Sequence, residues 1–476
     1  MTEQFKQTMR DKPAVRWTAL VLLASTMFFA YMFVDVLSPL QSLLQQERGW
    51  EPTAYGNFAG SEMFLNVFFF FLIFAGVILD KIGARKTAVL SGVVMVIGAF
   101  MKYYAVSNSF IGSGAEAWFT NNLNLPDSWW NVTPFFKGMP PSAKMAAVGF
   151  MVFGCGVEMA GITVSRAIVK WFSGYEMALA MGLEMAIARV GVAIVVVISP
   201  LLANSGAMAD VSRPVLFCAC LILIGLLSFI MFFFLDKKLD DQVGATLEEK
   251  DDPFKFRDLG KLFMSRTFLI VAFLCVLYYS AIFPFQKYAI NMLQCNLQIS
   301  AEGAAKIFFW FPIGAAAITP FLGGYLDKKG KGATMLIFGA ILMIGCHLIF
   351  AFLPKFGVGL GKPIALFAIV LLGISFSLVP ASLWPSVPKL VENKLLGSAY
   401  AVIFWIQNIG LYSLPMIIGS VLRKSNPGVT DPLQYNYTNP MLLFALLGVA
   451  ALLLGLWLKV EDKKKGYGLE LPNVKK

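Results

Sequence analysis

The sequence predicts an all-α integral membrane protein whose twelve transmembrane helices form two six-helix bundles. Its composition, the length of its apolar runs and an internal repeat all point to this fold. Of its 476 residues, 58% are hydrophobic and only 14% are charged, and the mean hydropathy is +0.71. Such a composition is typical of a chain embedded in a bilayer. The first apolar run is too long for the core of a signal peptide and lacks a small-residue cleavage site, so we expect it to remain as a span.

Twelve apolar stretches are each long enough for a helix to cross the bilayer, which takes about 20 residues. The predicted spans are 17–40, 55–79, 87–106, 144–165, 176–202, 214–235, 267–287, 303–326, 333–353, 363–384, 395–422 and 440–459. A polar stretch divides them into two sets of six. We therefore predict an N-terminal bundle over 1–235, a cytoplasmic linker over 236–266 with a short surface helix, and a C-terminal bundle over 267–476 that ends in a short cytoplasmic tail.

A repeated loop follows span two and, in the other half, span eight. Its two copies are GVILDKIGARK at 76–86 and GGYLDKKGK at 323–331. The residues that recur 247 positions later are Gly76 and Gly323, Asp80 and Asp327, and Gly83 and Gly330. Glycine permits a tight turn, and each aspartate can cap the following helix. Matching loops in two six-span halves indicate the parallel repeat of one transporter class. We expect these residues, with Arg85, to act as a conformational gate.

Positive charge is concentrated on one side of the predicted topology. The net charge is +11, and Lys and Arg cluster at 6–16, 81–86, 166–170, 237–266, 328–331 and 459–476. These segments are the two termini, the linker and alternate loops, whereas the other loops carry few basic residues. The positive-inside rule therefore predicts that both termini are cytoplasmic.

Two opposite charges are predicted to lie near the middle of the membrane on consecutive helices. If span four begins near Lys144 and span five near Glu176, Glu158 lies about 21 Å along the first and Arg189 about 20 Å along the second. The centre of a hydrocarbon layer about 30 Å thick is costly for a charge, which normally faces a partner or a cavity there. The pair can bind a ligand that has an ammonium and a carboxylate, or it can lock two helices together.

Other charged residues within the spans allow more than one role. Asp35 and Glu62 fall in the outer third of their helices, where they can form an external gate, a proton site or part of a solvated vestibule. Lys287 follows Pro284, where span seven can unwind, and it can pair with either acid or extend to the interface. Glu184 lies about a third of the way along span five. It can carry a proton or line the cytoplasmic vestibule.

Several motifs resemble those of the major facilitator superfamily and, within it, the lysosomal dipeptide transporter branch. The N-terminal half contains, beside the repeated loop, GCGVE at 154–158, KWF at 170–172 and ARVG at 188–191. The C-terminal half contains YYSAIFPF at 278–285, LGISFSL at 372–378, LWP at 383–385, GSAY at 397–400 and IQNIG at 406–410. The resemblance therefore extends over nearly the whole membrane domain.

The resemblance implies a dipeptide carrier without an obligatory ion partner, in which an acid of span four and an arginine of span five hold the ligand termini. The matching residues are Glu158 and Arg189. The chain departs from the family pattern at Glu184, which replaces an uncharged amide and leaves proton coupling open, and it matches loosely around Asp35. An acidic dileucine sorting signal is absent from the first 16 residues. We therefore expect the plasma (inner) membrane of a prokaryote rather than a lysosome.

We expect a secondary transporter that moves a small zwitterionic solute, a dipeptide, by alternating access. The side chains expected to join the charge pair at the substrate are Tyr278, Tyr279, Trp384 and Gln407, and each of these can instead serve helix packing. The alternatives are a proton-coupled importer of an organic anion such as a sugar acid, and a membrane sensor.

The chain has six cysteines without a CxxC pair, a single histidine and no motif that pairs a nucleophile with a base. We therefore expect no enzyme activity, no metal and no cofactor. The expected partners are the small-molecule substrate and the lipid bilayer, without nucleic acid, and no accessory protein is implied.

Overall fold

The computed structural model describes residues 8–123, 136, 138–243, 256–392 and 395–472, and all regular secondary structure in these ranges is helical. The predicted all-α membrane fold is confirmed. Eleven helical stretches among the described residues are long and apolar enough to cross a membrane. The remaining span, the second, is also present, but it is divided into three segments that are each too short to cross alone.

We label the twelve spans α1–α12. In the N-terminal bundle they are α1 (Pro13–Asp35), α2 (Pro52–Ser61, Phe64–Phe68 and Phe71–Ile82), α3 (Ala84–Val106), α4 (Pro141–Phe172), α5 (Met177–Ala203) and α6 (Ser212–Val243). In the C-terminal bundle they are α7 (Arg266–Leu297), α8 (Ala301–Phe308 and Trp310–Lys329), α9 (Gly332–Phe352), α10 (Gly357–Leu383), α11 (Leu396–Ser425) and α12 (Thr438–Lys465). Short helices outside the spans are Gln41–Arg48, Gly114–Asn121, Phe256–Met264 and Val387–Leu390.

Prolines begin some of these helices and lie inside others. Proline is the first residue of α1, α2 and α4, where its missing N–H would have had no intrahelical partner. The helix α7 passes Pro284 and continues to Leu297, so it does not unwind there. A proline removes one backbone hydrogen bond, and a helix packed among membrane neighbours tolerates that loss.

The breaks in α2 are the largest departure from the predicted spans. The first falls at Glu62 and Met63, and the second at Phe69 and Phe70, where Phe70 has left-handed backbone (φ 51°). Gly154 of α4 lies against the first break, since a Cβ there would be only 2.2 Å from the Glu62 carbonyl oxygen. Broken backbone is tolerated at membrane depth where protein surrounds it. The glycine of α4 thus allows α2 to break beside the interior of its bundle.

The helix α6 also continues beyond its predicted end, through residues 236–243 of the predicted linker. Asp236 and Asp240 lie one turn apart on it, and their carboxylates are 2.9 and 2.6 Å from the ammonium of Lys170 on α4. These ion pairs hold the polar end of α6 against its own bundle. A short helix is present in the linker as predicted, at Phe256–Met264, and residues 244–255 lie outside the described residues.

The helix ends define two faces of the molecule. We call the face that carries Met9, Val243 and Lys465 the linker face, and the other the opposite face. Contacts on the linker face include a 2.9 Å hydrogen bond from the Met9 amide to the Gln242 side chain. The described ends of the chain and the linker therefore share one face, which the charge asymmetry predicts to be cytoplasmic.

The bundles meet where α2 packs on α11 and α5 packs on α8, and these two contacts are equivalent under the repeat. The first segment of α2 is in close contact with α11, since a Cβ at Gly60 would lie 2.3 Å from the Tyr412 carbonyl oxygen. The third segment packs against α3 and α4 of its own bundle. The bundles thus touch toward the opposite face and separate toward the linker face.

Candidate functional site between the bundles

Glu158 lies on α4, one turn after the glycine that accommodates the break in α2. This position brings its half-buried carboxylate near Glu62, with which it interacts electrostatically. The break in α2 therefore places a second acid beside the acid that the sequence singled out.

Arg189 reaches from α5 across the interface to the other bundle. Its Nη1 lies 2.9 Å from the Thr319 hydroxyl oxygen and 3.3 Å from the Ala315 carbonyl oxygen, both on α8. The guanidinium carbon lies 5.0 Å from the ring centroid of Phe376 on α10. The described hydrogen bonds engage Nη1, which leaves Nη2 and Nε to donate to another acceptor. The ring contact compensates part of the cost of burying the cation.

Glu158 and Arg189 do not form an ion pair within the described structure, so they do not lock α4 to α5 by direct contact. Tyr31 of α1 lies within electrostatic range of both, since its hydroxyl interacts with Glu184, Glu158, Glu62 and Arg189. The sequence analysis did not identify Tyr31. Its signal was a single phenol hydroxyl in the apolar run of span one. The three acids and the arginine therefore all lie within electrostatic range of one side chain of α1.

Two predicted side chains of the C-terminal bundle come together beside the arginine. The Trp384 indole N–H donates to the Tyr279 hydroxyl at 3.1 Å, and Tyr279 interacts electrostatically with Arg189. The Phe283 and Phe376 rings pack on Tyr279, with centroids 5.5 and 6.0 Å away. These residues form an aromatic wall opposite α4 and α5.

The structure places Tyr278 and Gln407 in packing positions instead. Tyr278 is fully buried, and its hydroxyl donates to the carbonyl of Leu336 on α9. The Gln407 side chain accepts a 3.4 Å hydrogen bond from the Cys275 thiol, between α11 and α7. Consecutive residues of a helix point about 100° apart. Since Tyr279 faces Arg189, Tyr278 is turned toward its own bundle.

Asp35 and Lys287 form an ion pair between the bundles, on the side of the opposite face. The Lys287 ammonium lies 2.8 Å from Asp35 Oδ1, and the Gln286 amide donates to Oδ2 at 2.6 Å. Glu62 interacts electrostatically with both members of the pair. Lys287 therefore binds Asp35 across the interface rather than extending to the membrane surface.

The aspartates of the repeated loop are not the N-caps of the helices that follow, which are Gly83 and Lys331, so the capping role that the sequence allowed is not the one observed. Asp80 lies in the last turn of α2 and its carboxylate is 2.5 Å from Arg166 of α4. The N-cap of α3 is Gly83, which has φ 80° and no side chain to act as a cap. Asp327 lies in the last turn of α8, one turn before Gly330 (φ 72°). Both aspartates end a helix rather than begin one.

The two copies of the loop are held in place differently. In the N-terminal copy, Arg85 forms a 2.6 Å ion pair with Asp240 at the end of α6. In the C-terminal copy, the amides of Lys331 and Gly332 donate to carbonyls of the tail, those of Glu470 and Leu469. Gly76 and Gly323 have open space in both copies, since a Cβ there would have no heavy atom of another segment within 4 Å.

Comparison with known proteins gives a family match over most of the chain. The family described as Major Facilitator Superfamily matches residues 23–415. The lysosomal dipeptide transporter MFSD1 of Mus musculus is 28% identical over 283 residues, which cover 58% of this chain and 59% of the relative. MFSD1 of Gallus gallus is also 28% identical over 283 residues, which cover 58% of this chain and 62% of that relative. The chain thus spans about three fifths of the length of these curated relatives.

Solved structures share the fold at low sequence identity. The nucleoside transporter NupG matches with a TM-score of 0.65 and 13% identity, covering 94% of this chain and 99% of that chain. An inward-facing, occupied bacterial homolog of the human lysosomal transporter Spinster matches with a TM-score of 0.67 and 13% identity, covering 95% of this chain and 98% of that chain. A structure from the proton dependent oligopeptide transporters matches with a TM-score of 0.61 and 14% identity, covering 94% of this chain and 99% of that chain. By its match to the family over residues 23–415, the chain belongs to the Major Facilitator Superfamily and is a multi-pass membrane transporter rather than an enzyme.

Proposed function

We propose that this transporter carries a small zwitterionic solute of the dipeptide class. Glu158 would bind its ammonium and Arg189 its carboxylate. The observation that carries the proposal is that two opposite charges, midway along α4 and α5 and both within electrostatic range of Tyr31, form no ion pair with each other in the described structure. Each charge is costly to bury alone. A ligand with both complementary charges would satisfy the two residues together.

The surroundings of Arg189 favour a carboxylate ligand. Its Nη1 is engaged by α8, so Nη2 and Nε can form a charge-assisted, bidentate contact with two carboxylate oxygens. Tyr279 and Trp384 would then close over the peptide backbone. Two fixed charges select for the distance between the ligand's ends and ignore most side chains, so we expect strict selection for length and broad tolerance of side chains. The names of the curated relatives agree with this substrate class.

Transport would proceed by alternating access, with the bundles rocking about the site between them. The described state is joined toward the opposite face by the Asp35–Lys287 pair and separated toward the linker face. If the linker face is cytoplasmic in the plasma membrane, as the charge asymmetry predicts, this state exchanges solute with the cytoplasm. The repeated loops, with their open glycines, would close against the other bundle in the alternate state.

A second candidate is a proton-coupled importer of an organic anion such as a sugar acid. One observation favours it: Glu62, Glu158 and Glu184 all lie near Tyr31, against the single guanidinium of Arg189. The arginine would bind the anion, and one of the acids would carry the proton. Glu184 is the acid that distinguishes this chain from the pattern it resembles.

A ligand panel and a flux assay together separate the two candidates. The panel measures the melting temperature of the purified protein with dipeptides, single amino acids and sugar acids, and we expect stabilisation by dipeptides alone. Uptake of the stabilising ligand is then measured in liposomes with and without an imposed pH gradient, for wild type and Glu184→Gln. Flux that follows the dipeptide gradient alone supports a uniporter. Stabilisation by sugar acids, with flux that follows the pH gradient and is lost in Glu184→Gln, would establish the second candidate instead.

A further inference from the structure

Lys102 of α3 is a fully buried lysine, and no carboxylate of the described residues lies within ion-pair distance of it. Its ammonium donates to the Phe33 carbonyl oxygen at 3.1 Å. It also lies over three aromatic rings, 4.4 Å from the centroid of Phe33, 5.2 Å from Phe58 and 4.2 Å from Phe150. Aromatic faces and one carbonyl compensate only part of the lost hydration of an ammonium. The burial of Lys102 is therefore costly unless other charges or dipoles nearby stabilise its ammonium.

The end of α1 provides this stabilisation, and two lysines from different bundles bind there. Lys102 binds the carbonyl of residue 33, and Lys287 binds the carbonyl of Val34 at 3.2 Å as well as the carboxylate of Asp35. The last carbonyls of a helix lack intrahelical partners and carry the negative end of its dipole. Both ammonium groups also lie over the Phe150 ring, at 4.2 and 5.9 Å, so they are within about 10 Å of each other.

We call the end of the interface toward the opposite face, where the Asp35–Lys287 pair joins the bundles, the sealed end. We propose that Lys102 is the resident counter-ion that sets how readily this sealed end opens. In the described state two acids, Asp35 and Glu62, interact with two lysines. Separation of the bundles removes Lys287, whereas Lys102 stays with both acids because all three belong to the N-terminal bundle. This attraction is present in both states and does not by itself shift the equilibrium between them. The repulsion between Lys102 and Lys287 across Phe150 exists only while the bundles are joined, so it favours opening.

The inference holds for any solute, and its test needs none. A single cysteine is placed at Ser42, which is buried in the sealed end 3.5 Å from Gln294 of the other bundle, in a protein whose six native cysteines are replaced. The rate of its alkylation by a water-soluble maleimide then reports how often the sealed end opens. We compare Lys102→Met with Lys102→Arg. Methionine removes the charge but still packs well against aromatic rings, and arginine keeps the charge.

We expect Lys102→Met to slow the alkylation by roughly tenfold, the effect of two charges about 10 Å apart at an effective dielectric constant of about 20. Lys102→Arg should stay near the parent rate. Lys144→Met is the matched control, because Lys144 is also buried and binds the carbonyls of Phe119 and Asn122. It should leave the rate unchanged even if the melting temperature falls.

A double variant separates lost repulsion from lost stability. Lys287→Met should speed the alkylation, and Lys102→Met in that background should no longer slow it, because the repulsion requires both ammonium groups. Three results would overturn the inference: an equal or faster rate in Lys102→Met, an equally slow rate in Lys144→Met, or an undiminished slowing when Lys102→Met is added to Lys287→Met.

Discussion

The interface between the two bundles has two ends that differ in how closely the backbones of the bundles approach each other. At the sealed end, toward the opposite face, a Cβ at Gly56 or Gly60 would lie 2.4 or 2.3 Å from a carbonyl oxygen of α11. At the linker end, a Cβ at Gly76 or Gly323 would meet no heavy atom of another segment within 4 Å. In this state Gly56 and Gly60 therefore allow close backbone contact between the bundles, whereas Gly76 and Gly323 are not used in this way.

Polar contacts differ in the same way. At the sealed end, the Asp35–Lys287 ion pair joins the two bundles, and the Tyr55 hydroxyl donates to the Lys287 carbonyl at 2.9 Å. At the linker end, the ion pair of Asp80 with Arg166 stays within one bundle. Under the proposed alternating-access cycle, the contacts at the sealed end would be exchanged during transport, whereas the ion pair at the linker end would move together with its bundle.

The largest expected effect is at the ion pair of the sealed end. Removal of one partner of a buried pair costs about 3–5 kcal/mol, because the other charge is left uncompensated. We expect Asp35→Asn or Lys287→Met to lower the melting temperature and to speed alkylation of a cysteine at Ser42. The double variant should be milder than either single variant. If either single variant has the same melting temperature and alkylation rate as the single-cysteine protein without it, this pair does not hold the bundles together.

The glycines provide the next largest effect. Gly60→Ala puts a methyl group against the Tyr412 backbone, and such overpacking costs about 1–3 kcal/mol. We expect the sealed end to open more often and transport to fall by roughly tenfold. Gly345→Ala on α9 is the matched control, because a Cβ there meets no other segment within 4 Å. Normal alkylation and transport in Gly60→Ala would contradict the importance of close backbone approach.

A smaller effect is expected from Asp80→Asn at the linker end. The Asp80 side chain is 51% exposed, and exposed ion pairs contribute only about 0–1 kcal/mol. We therefore expect little change in melting temperature and ligand affinity, together with slower transport if this loop gates the cycle. Transport at the parent rate would remove the loop from the gate, and a loss of ligand binding would place Asp80 in the site.

The smallest effect concerns the N-terminal segment on the linker face. Hydrogen bonds from the Tyr175 hydroxyl and the Thr8 amide lower the pKa of Asp11. A lowered folded-state pKa stabilises the fold above the usual carboxyl value of about 3.9, and this contribution is lost as the pH falls through the lowered value. Tyr175→Phe should therefore lower the melting temperature slightly at pH 7 and less at pH 3, without changing transport. An equal loss at both values would show that the hydroxyl does not act through the carboxylate.

The fold could be predicted from the sequence because its determinants are linear. An apolar run of about 20 residues predicts a span by itself, and the loop at 76–86 recurs at 323–331 without reference to three-dimensional contacts. The ends of helices were less predictable. The extension of α6 to Val243 depends on Lys170 of another helix, and the break at Glu62 depends on Gly154 of α4.

The geometry of the candidate site could be predicted only in part, because it depends on how each helix is rotated. Tyr278 and Tyr279 could not be told apart without knowing which face of α7 looks toward Arg189. Thr319 and Tyr31 carry no charge, so nothing in an apolar run marked them. Lys102 did carry a signal, since it is a charge inside a predicted span. Its position four residues from the end of α3 resembles that of a lysine at the membrane surface.

We call the proposed pair, in which Glu158 binds the ligand's ammonium and Arg189 its carboxylate, the clamp. Its most direct test is a binding series with a dipeptide and its N-acetylated form. Affinities are measured for wild type, Glu158→Gln and Arg189→Lys, with the melting temperature of each empty protein. We expect Glu158→Gln to weaken the free dipeptide by roughly tenfold, as for a lost hydrogen bond to a charged group, and to affect the acetylated form much less. Arg189→Lys should weaken both, because lysine lacks the planar fork. Equal losses of both peptides in Glu158→Gln, with a large drop in the stability of the empty protein, would contradict the clamp.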